Sequence, residues 1–122
     1  MALPIGGKVL LDTNVFIDFL RADRHTEWVL GGHGTVVRFI SAIVLLELRL
    51  GADTPRRKKA IDRLQHAFSS ERTLGLTPTV LDRAGQLFRA MYGNAAGLRD
   101  RLGPMNDLLI ALTAREIGAT VV

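Results

Sequence analysis

Three acidic residues occupy positions where a carboxylate needs an explanation. Asp12 directly follows the apolar run "KVLL", Glu47 interrupts the apolar helix pattern "AIVLLELRL", and Asp107 stands just before "LLIAL". A carboxylate that is buried without a partner costs several kcal/mol, and an ion pair or a bound cation can compensate that cost. Ligation by oxygen atoms alone selects a hard ion. If the three acids meet in one crevice, we therefore expect Mg²⁺ or Mn²⁺ there.

For two of these acids, a role in capping a helix is as well supported by the sequence as a role in binding a metal ion. Asp12 opens the turn "DTN", in which each side chain is a typical helix N-cap, so its role could be only to begin the next helix. Asn106 and Asp107 stand at the start of the apolar pattern "PMNDLLIALTAREIG", where capping and the helix dipole both favour an acid. Taken alone, neither position distinguishes a metal site from a helix cap.

Glu47 has the weakest structural explanation of the three. Its neighbours make the helix apolar on nearly all sides, which is typical of a buried helix. A salt bridge would be the ordinary compensation for the charge. Arg49 points elsewhere on the same helix, which leaves Arg38 as the candidate partner. The alternative is a metal ion shared with other acids.

Other kinds of site find little support in the sequence. There are no cysteines, which excludes disulfides, thiolate zinc sites and cysteine nucleophiles. His25, His33 and His66 show no metal-ligand spacing, and we expect them at the surface. The stretch "LGGHGT" lacks the Lys-Ser/Thr ending of a phosphate-binding loop and predicts a turn. A phosphoaspartyl enzyme would need a second acid two residues after Asp12, where Asn14 stands.

The elements that would position the acids alternate between strands and helices. The runs "KVLL", "VVRFI", "TLGL" and "ATVV" predict strands, and helical patterns separate them. Ser41 stands where an N-cap would begin the helix of Glu47, and Thr54 and Pro55 open the following helix. This order predicts an α/β fold: a three-layer, Rossmann-like sandwich with a central parallel sheet of about four strands.

The predicted sheet suggests how the acids could meet. In parallel sheets with helices on both faces, ligands bind beyond the carboxyl ends of the strands, where the strand order reverses. If the first strand is central, Asp12 lies at such an end. Glu47 follows the second strand and Asp107 opens the helix before the fourth, so all three are expected to face one crevice.

Length and charge narrow the class of protein. The 122 residues are the size of one domain, and we expect a single domain over residues 1–122. The formal net charge of +4 favours an anionic partner such as nucleic acid. There is no secretory leader pattern and no apolar run near the roughly 18 residues of a membrane span. We therefore expect a cytoplasmic protein that does not enter membranes.

The run "RRKK", from Arg56 to Lys59, is the most basic stretch of the chain. A solvated surface is the ordinary interpretation of such a run. However, positive charge in the first turn of a helix opposes the helix dipole, so Arg56, Arg57, Lys58 and Lys59 do not stabilise that helix. They are candidate contacts for RNA phosphates or for an acidic partner.

Three blocks in this order, "LLDTNVFIDFL", "SAIVLLELRLGA" and "NDLLIALTAREIGATVV", resemble the PIN domain family, and specifically its VapC-like toxin ribonucleases. The resemblance implies a PIN-like fold and hydrolysis of RNA with Mg²⁺ or Mn²⁺. Matched by position, it assigns the metal ligands and catalytic acids to Asp12, Glu47 and Asp107. The polar residues expected to organise the site are Thr13, Asn14, Ser41 and Asn106.

The resemblance also implies partners. A cognate antitoxin that covers the acidic crevice and a homodimer are expected, with RNA as the substrate. In one respect, however, the sequence departs from the family's pattern. Family members normally continue after the fourth strand with a turn that carries a fourth acid, and with a final strand. We expect the 1–122 domain to lack both and a second metal ion to bind weakly or not at all. The alternative is a PIN-like module that binds RNA or an antitoxin without cutting.

Overall fold

The computed structural model describes residues 7–31, 34, 36–93 and 102–122. Within these ranges the chain alternates between strands and helices, as predicted. The elements are β1 (Lys8–Leu10), α1 (Thr13–Ala22), α2 (Thr26–Leu30), β2 (Val37–Ser41), α3 (Ala42–Leu50), α4 (Pro55–Ala67), β3 (Thr73–Leu74), α5 (Pro78–Tyr92), α6 (Leu102–Ile117) and β4 (Ala119–Val121). A single 3₁₀ turn, Ser70–Arg72, precedes β3.

The described strands form one parallel sheet in the order β3-β2-β1-β4. In register, Lys8 of β1 pairs with Val37 of β2 on one side and with Ala119 of β4 on the other. The chain builds the sheet outward from β1 through β2 to β3, and then returns to place β4 on the opposite side of β1. The α/β fold with a parallel sheet is confirmed, and the strand order reverses beside β1.

The core surrounds β1. Val9, Leu10 and Leu11 are fully buried, as expected for a continuous apolar run covered on both faces of a sheet. Phe16 of α1 packs edge to face against Phe68, which follows α4, with ring centroids 5.9 Å apart. The first strand and the helix that follows it are therefore the most firmly packed part of the described structure, and the residues between them are well positioned.

Helices α3 and α4 begin where their capping residues predicted. The Ser41 hydroxyl accepts a hydrogen bond from the backbone N–H of Ile43 at 3.2 Å and caps α3. Thr54 caps α4 in the same way, and Pro55 takes the first helical position. No helix in the described ranges is long and apolar enough to cross a membrane. Half of the predicted glycine-rich turn, including His33, lies outside the described residues.

Candidate functional site

Asp12 lies at the carboxyl end of β1 and has two structural contacts. Its backbone N–H donates to the carbonyl of Val122 at 2.9 Å, which extends the pairing between β1 and β4. Its Oδ1 accepts a hydrogen bond from the backbone N–H of Thr13 at 2.7 Å and caps α1. The capping interpretation is therefore correct, but it uses one carboxylate oxygen. Within the described residues no hydrogen bond involves Oδ2, which remains available to a ligand.

Thr13 connects Asp12 to the second acid. The Thr13 side chain is buried, and its hydroxyl donates to Oε1 of Glu47 at 3.3 Å. Glu47 lies on α3, which packs against α1, and is itself half-buried. The turn after β1 thus holds one acid directly and orients another through a hydroxyl group.

The salt bridge considered as an alternative for Glu47 does not form among the described residues. The guanidinium of Arg38 instead donates to carbonyl oxygens in α2, including that of Trp28 at 2.9 Å, and lies over the ring of Phe68. Arg49 forms an ion pair with Asp62 at 2.6 Å. None of the ion pairs among the described residues includes Glu47. The ordinary compensation for its charge is therefore missing.

The electrostatic effect of this arrangement falls on Glu47. Partial burial raises the pKa of the Glu47 carboxyl above its ordinary value, and the negative charges of Asp12 and Asp107 raise it further. The hydrogen bond from Thr13 favours the ionised form and opposes this shift. Mutual repulsion among carboxylates that lack a basic partner is the condition that a bound cation would relieve.

Asp107 does not open its helix, so that prediction is wrong. Helix α6 begins at Leu102, five residues earlier, because a proline in the first turn, here Pro104, is compatible with a helix. Asp107 is exposed in the second turn, where it cannot act as an N-cap. Since α6 packs against α3, the placement of Asp107 is explained by its proximity to Glu47 and not by capping.

The donor chemistry fits a hard divalent cation, although the three acids do not form a closed cage. Among the described residues no three Asp, Glu or His side chains lie close enough together to hold one ion by themselves. Mg²⁺ usually keeps several waters and takes only one or two carboxylates from the protein. Asp12 and Glu47, which Thr13 connects, could supply two such carboxylates.

The other predicted polar residues differ in what they contact. Ser41 is fully buried and acts on the site by capping the helix that carries Glu47. Asn14 is exposed in the first turn of α1, and Asn106 is half-buried beside Asp107. Neither asparagine forms a side-chain hydrogen bond within the described residues. Of the predicted organising residues, Thr13 therefore has the most direct contact with an acid.

A groove on the α4 side of Glu47 brings part of the basic run close to that acid. The groove has a volume of about 620 Å³ and is bordered by α1, α3 and α4. Glu47, Arg56 and Arg57 line it, whereas Lys58 and Lys59 do not. Arg21, at the end of α1, also lines the groove and was not predicted from the sequence. In the sequence, Arg21 stands out only as a basic residue in the last turn of a helix, a common feature that does not point to a binding site.

Comparisons with known proteins agree with this fold. The family model for the PIN domain matches residues 9–122. The structure of FitAcB from Neisseria gonorrhoeae is 25% identical, with a TM-score of 0.61 over 93% of this chain and 84% of that one. FitAB bound to an IR36 DNA fragment is 25% identical, with a TM-score of 0.60 over 93% and 82%.

A further solved structure shares the fold. VapBC2 from Rickettsia felis, bound to a DNA fragment from its promoter, is 23% identical, with a TM-score of 0.59 over 93% of this chain and 85% of that one. No curated protein sequence matches the chain. The similarity to solved structures therefore extends over nearly all of the chain at low sequence identity.

Proposed function

The chain belongs to the PIN domain family, and from this premise we propose that it is a Mg²⁺- or Mn²⁺-dependent endoribonuclease that acts as the toxin of a toxin–antitoxin pair. The resemblance predicted from the three sequence blocks is confirmed by the family match over residues 9–122. PIN domains are generally nucleases, and the similar solved structures are toxin–antitoxin complexes. The comparisons support a toxin nuclease family, and we propose the metal dependence and the RNA substrate in addition.

One observation carries the proposal. Glu47 has a raised pKa because of burial and of the charges of Asp12 and Asp107, and no basic side chain of the described structure pairs with it. Titratable groups perturbed in this way, at the strand ends where α/β folds bind ligands, are typical of functional sites. The hydrogen bond from Thr13, which follows the carboxyl end of β1, supports a site beside the reversal of strand order.

Each residue of the site has a role that follows from its contacts. Asp12, held by its capping bond, would be the principal ligand through its second carboxylate oxygen. Glu47, oriented by the Thr13 hydroxyl, and Asp107 would complete the oxygen donors, in part through water. A bound Mg²⁺ or Mn²⁺ would supply a water of lowered pKa and charge neutralisation at the phosphodiester. Within the described site no side-chain nucleophile is needed.

RNA hydrolysis by the purified chain tests the proposal. A fluorescently labelled RNA is incubated with Mg²⁺ or Mn²⁺, with EDTA, or with the variant Asp12→Asn. We expect cleavage that EDTA abolishes and that Asp12→Asn lowers at least about 100-fold, since even residues outside a metal's ligand shell often cost 10–100-fold. Asp82→Asn, the same change at an exposed acid of α5, is the matched control and should cut normally.

The second candidate is a PIN-like module that binds RNA or an antitoxin without cutting. It is favoured by the finding that no three acids among the described residues converge on one point. The same assay distinguishes the two functions. If the chain and Asp12→Asn bind RNA equally and neither cuts it with any divalent ion, the binding module is correct.

The expected partners follow from the family. The similarity to solved toxin–antitoxin complexes supports an antitoxin as the natural partner. The family resemblance further implies a segment of that antitoxin that covers the acidic crevice and places an arginine among the carboxylates. A homodimer is proposed as well, and exposed apolar side chains support it. Leu46 and Leu50, one turn apart on α3, are 52% and 78% exposed. Copurification and light scattering test these two interactions.

A further inference from the structure

The groove beside Glu47 has an apolar floor and a basic rim. Ile17 and Leu20 of α1 face Leu48 of α3 and Ile61 of α4 along its length. Arg21 and Arg56 line the same groove, on α1 and α4 respectively. The groove therefore leads from positive charge to the acid at the centre of the proposed site. A surface of this kind fits a ligand that has both apolar faces and negative charges.

The basic side chains of this groove are not equivalent. Arg57 is held by an ion pair with Asp53 at 2.6 Å, one helical turn earlier. By contrast, Arg21 and Arg56 have no side-chain hydrogen bond or ion pair with any residue that the structure describes. Arg56 also lies in the first turn of α4, where its charge opposes the helix dipole. Two arginines with available guanidinium groups thus border the groove.

We propose that Arg21 and Arg56 bind a backbone phosphate of single-stranded RNA adjacent to the phosphodiester that is cut. This inference rests on the proposed ribonuclease function and extends it to the substrate path. Guanidinium groups bind phosphate through paired, charge-assisted hydrogen bonds. The apolar floor would contact the face of an unpaired base, which a duplex hides within its stack. The next phosphate along the strand would then reach Glu47.

Binding in the absence of cleavage tests the proposal. The full chain carrying Asp12→Asn is mixed with a labelled unstructured RNA oligomer in EDTA, and anisotropy is measured between 50 and 200 mM salt. Arg21→Gln and Arg56→Gln should each weaken binding about 5- to 10-fold. The Arg21→Gln/Arg56→Gln double variant should also lower the salt slope by about 0.7, the value for one phosphate contact on a single strand, and each single variant should lower it by less.

Two matched controls distinguish specific binding by Arg21 and Arg56 from a general attraction of RNA by positive charge. Lys58→Gln removes the same charge from the same helix turn but outside the groove. Arg57→Gln removes a groove residue that already has an acidic partner. Both should change the affinity less than about 2-fold, and all of these positions are exposed, so circular dichroism should show unchanged folding. Equal losses in all four variants, or no loss in an Arg21→Gln/Arg56→Gln double variant, would overturn the proposal.

Experiments with two further ligands test which class of molecule binds in the groove. Duplex RNA of the same sequence should bind with little dependence on Arg21 and Arg56, and equal dependence would overturn the single-strand assignment. A Glu-rich peptide should not compete with RNA, and binding of the peptide in place of RNA would make the groove a protein-docking site. If the unsubstituted chain cuts RNA, and the Arg21→Gln and Arg56→Gln variants cut and bind RNA normally, only the inference about the groove fails. If the chain neither cuts nor binds RNA, the proposed function fails first.

Discussion

The acids around β1 and the acids around α4 differ in their partners. Asp53 and Asp62, on the α4 side, each form an ion pair with an arginine at 2.6 Å. Asp12, Glu47 and Asp107 have no basic partner within the described structure, and two of them raise the pKa of the third. The chain has sixteen Lys and Arg residues, so basic side chains are not scarce.

This difference separates acids that are paired within the described structure from the acids to which we assign the proposed site. The two arginines considered as partners for Glu47 from the sequence are engaged elsewhere: Arg38 binds backbone carbonyls, and Arg49 binds Asp62. The fold thus compensates charge on α4 and leaves it uncompensated beside β1. Groups held in an electrostatically unfavourable arrangement are typical of sites whose function needs them.

Glu47→Gln is expected to have the largest effect on activity. Because Gln cannot supply negative charge to a cation, RNA cleavage should fall at least about 100-fold, as for Asp12→Asn. Asp62→Asn removes an acid from the other group and breaks only an exposed ion pair, which is worth at most about 1 kcal/mol. Equal losses of cleavage in the two variants would remove the distinction between the groups.

Addition of a divalent cation should stabilise the protein through the β1 acids. At a concentration about 10 times the dissociation constant, Mn²⁺ should stabilise the fold by about 1.4 kcal/mol and raise Tm by several degrees. The shift should survive in Asp62→Asn and disappear in Asp12→Asn, as measured by calorimetry. Anomalous diffraction from Mn²⁺-soaked crystals should show one well-occupied ion, and two would contradict the expected stoichiometry.

Thr13→Val should have a smaller effect, because it leaves all three acids in place. The change keeps the shape of the side chain and removes the hydroxyl that donates to Glu47, so the turnover rate should fall about 5- to 10-fold. Thr113→Val is the matched control. Thr113 is also buried, and its hydroxyl donates to the carbonyl of Leu109 at 2.7 Å within α6. Similar losses in both variants would indicate a general packing effect.

The smallest effect is expected on the stability of the metal-free protein. Since the pKa of Glu47 is raised in the folded state, its ionisation destabilises the fold above that pKa, and the cost disappears as the pH falls through it. Glu47→Gln should therefore raise Tm by about 1–3 °C at pH 7.5 in EDTA, a small value because solvent screens the repulsion. The difference should vanish in acid, and Asp62→Asn should show no such gain.

Much of the site's framework follows from local sequence. An apolar run followed by "DTN" predicts a buried strand that ends at a capped helix, and both are observed because strand burial and N-capping depend on adjacent residues. Ser41, as the cap of α3, was predicted for the same reason. The beginning of α6 was misplaced because Pro104 is compatible both with a helix start and with a position inside the first turn.

The sequence by itself determined which acids need an explanation, and the order of strands and helices that brings them to one edge of a parallel sheet. Only the tertiary structure decided that Arg38 turns away from Glu47, that Thr13 reaches it, and that Arg21 joins Arg56 at one groove. The physical reason is the distance along the chain over which each kind of interaction acts. Capping and burial patterns act between neighbours in the chain, whereas the choice of partner for a charge depends on side chains that only folding brings together.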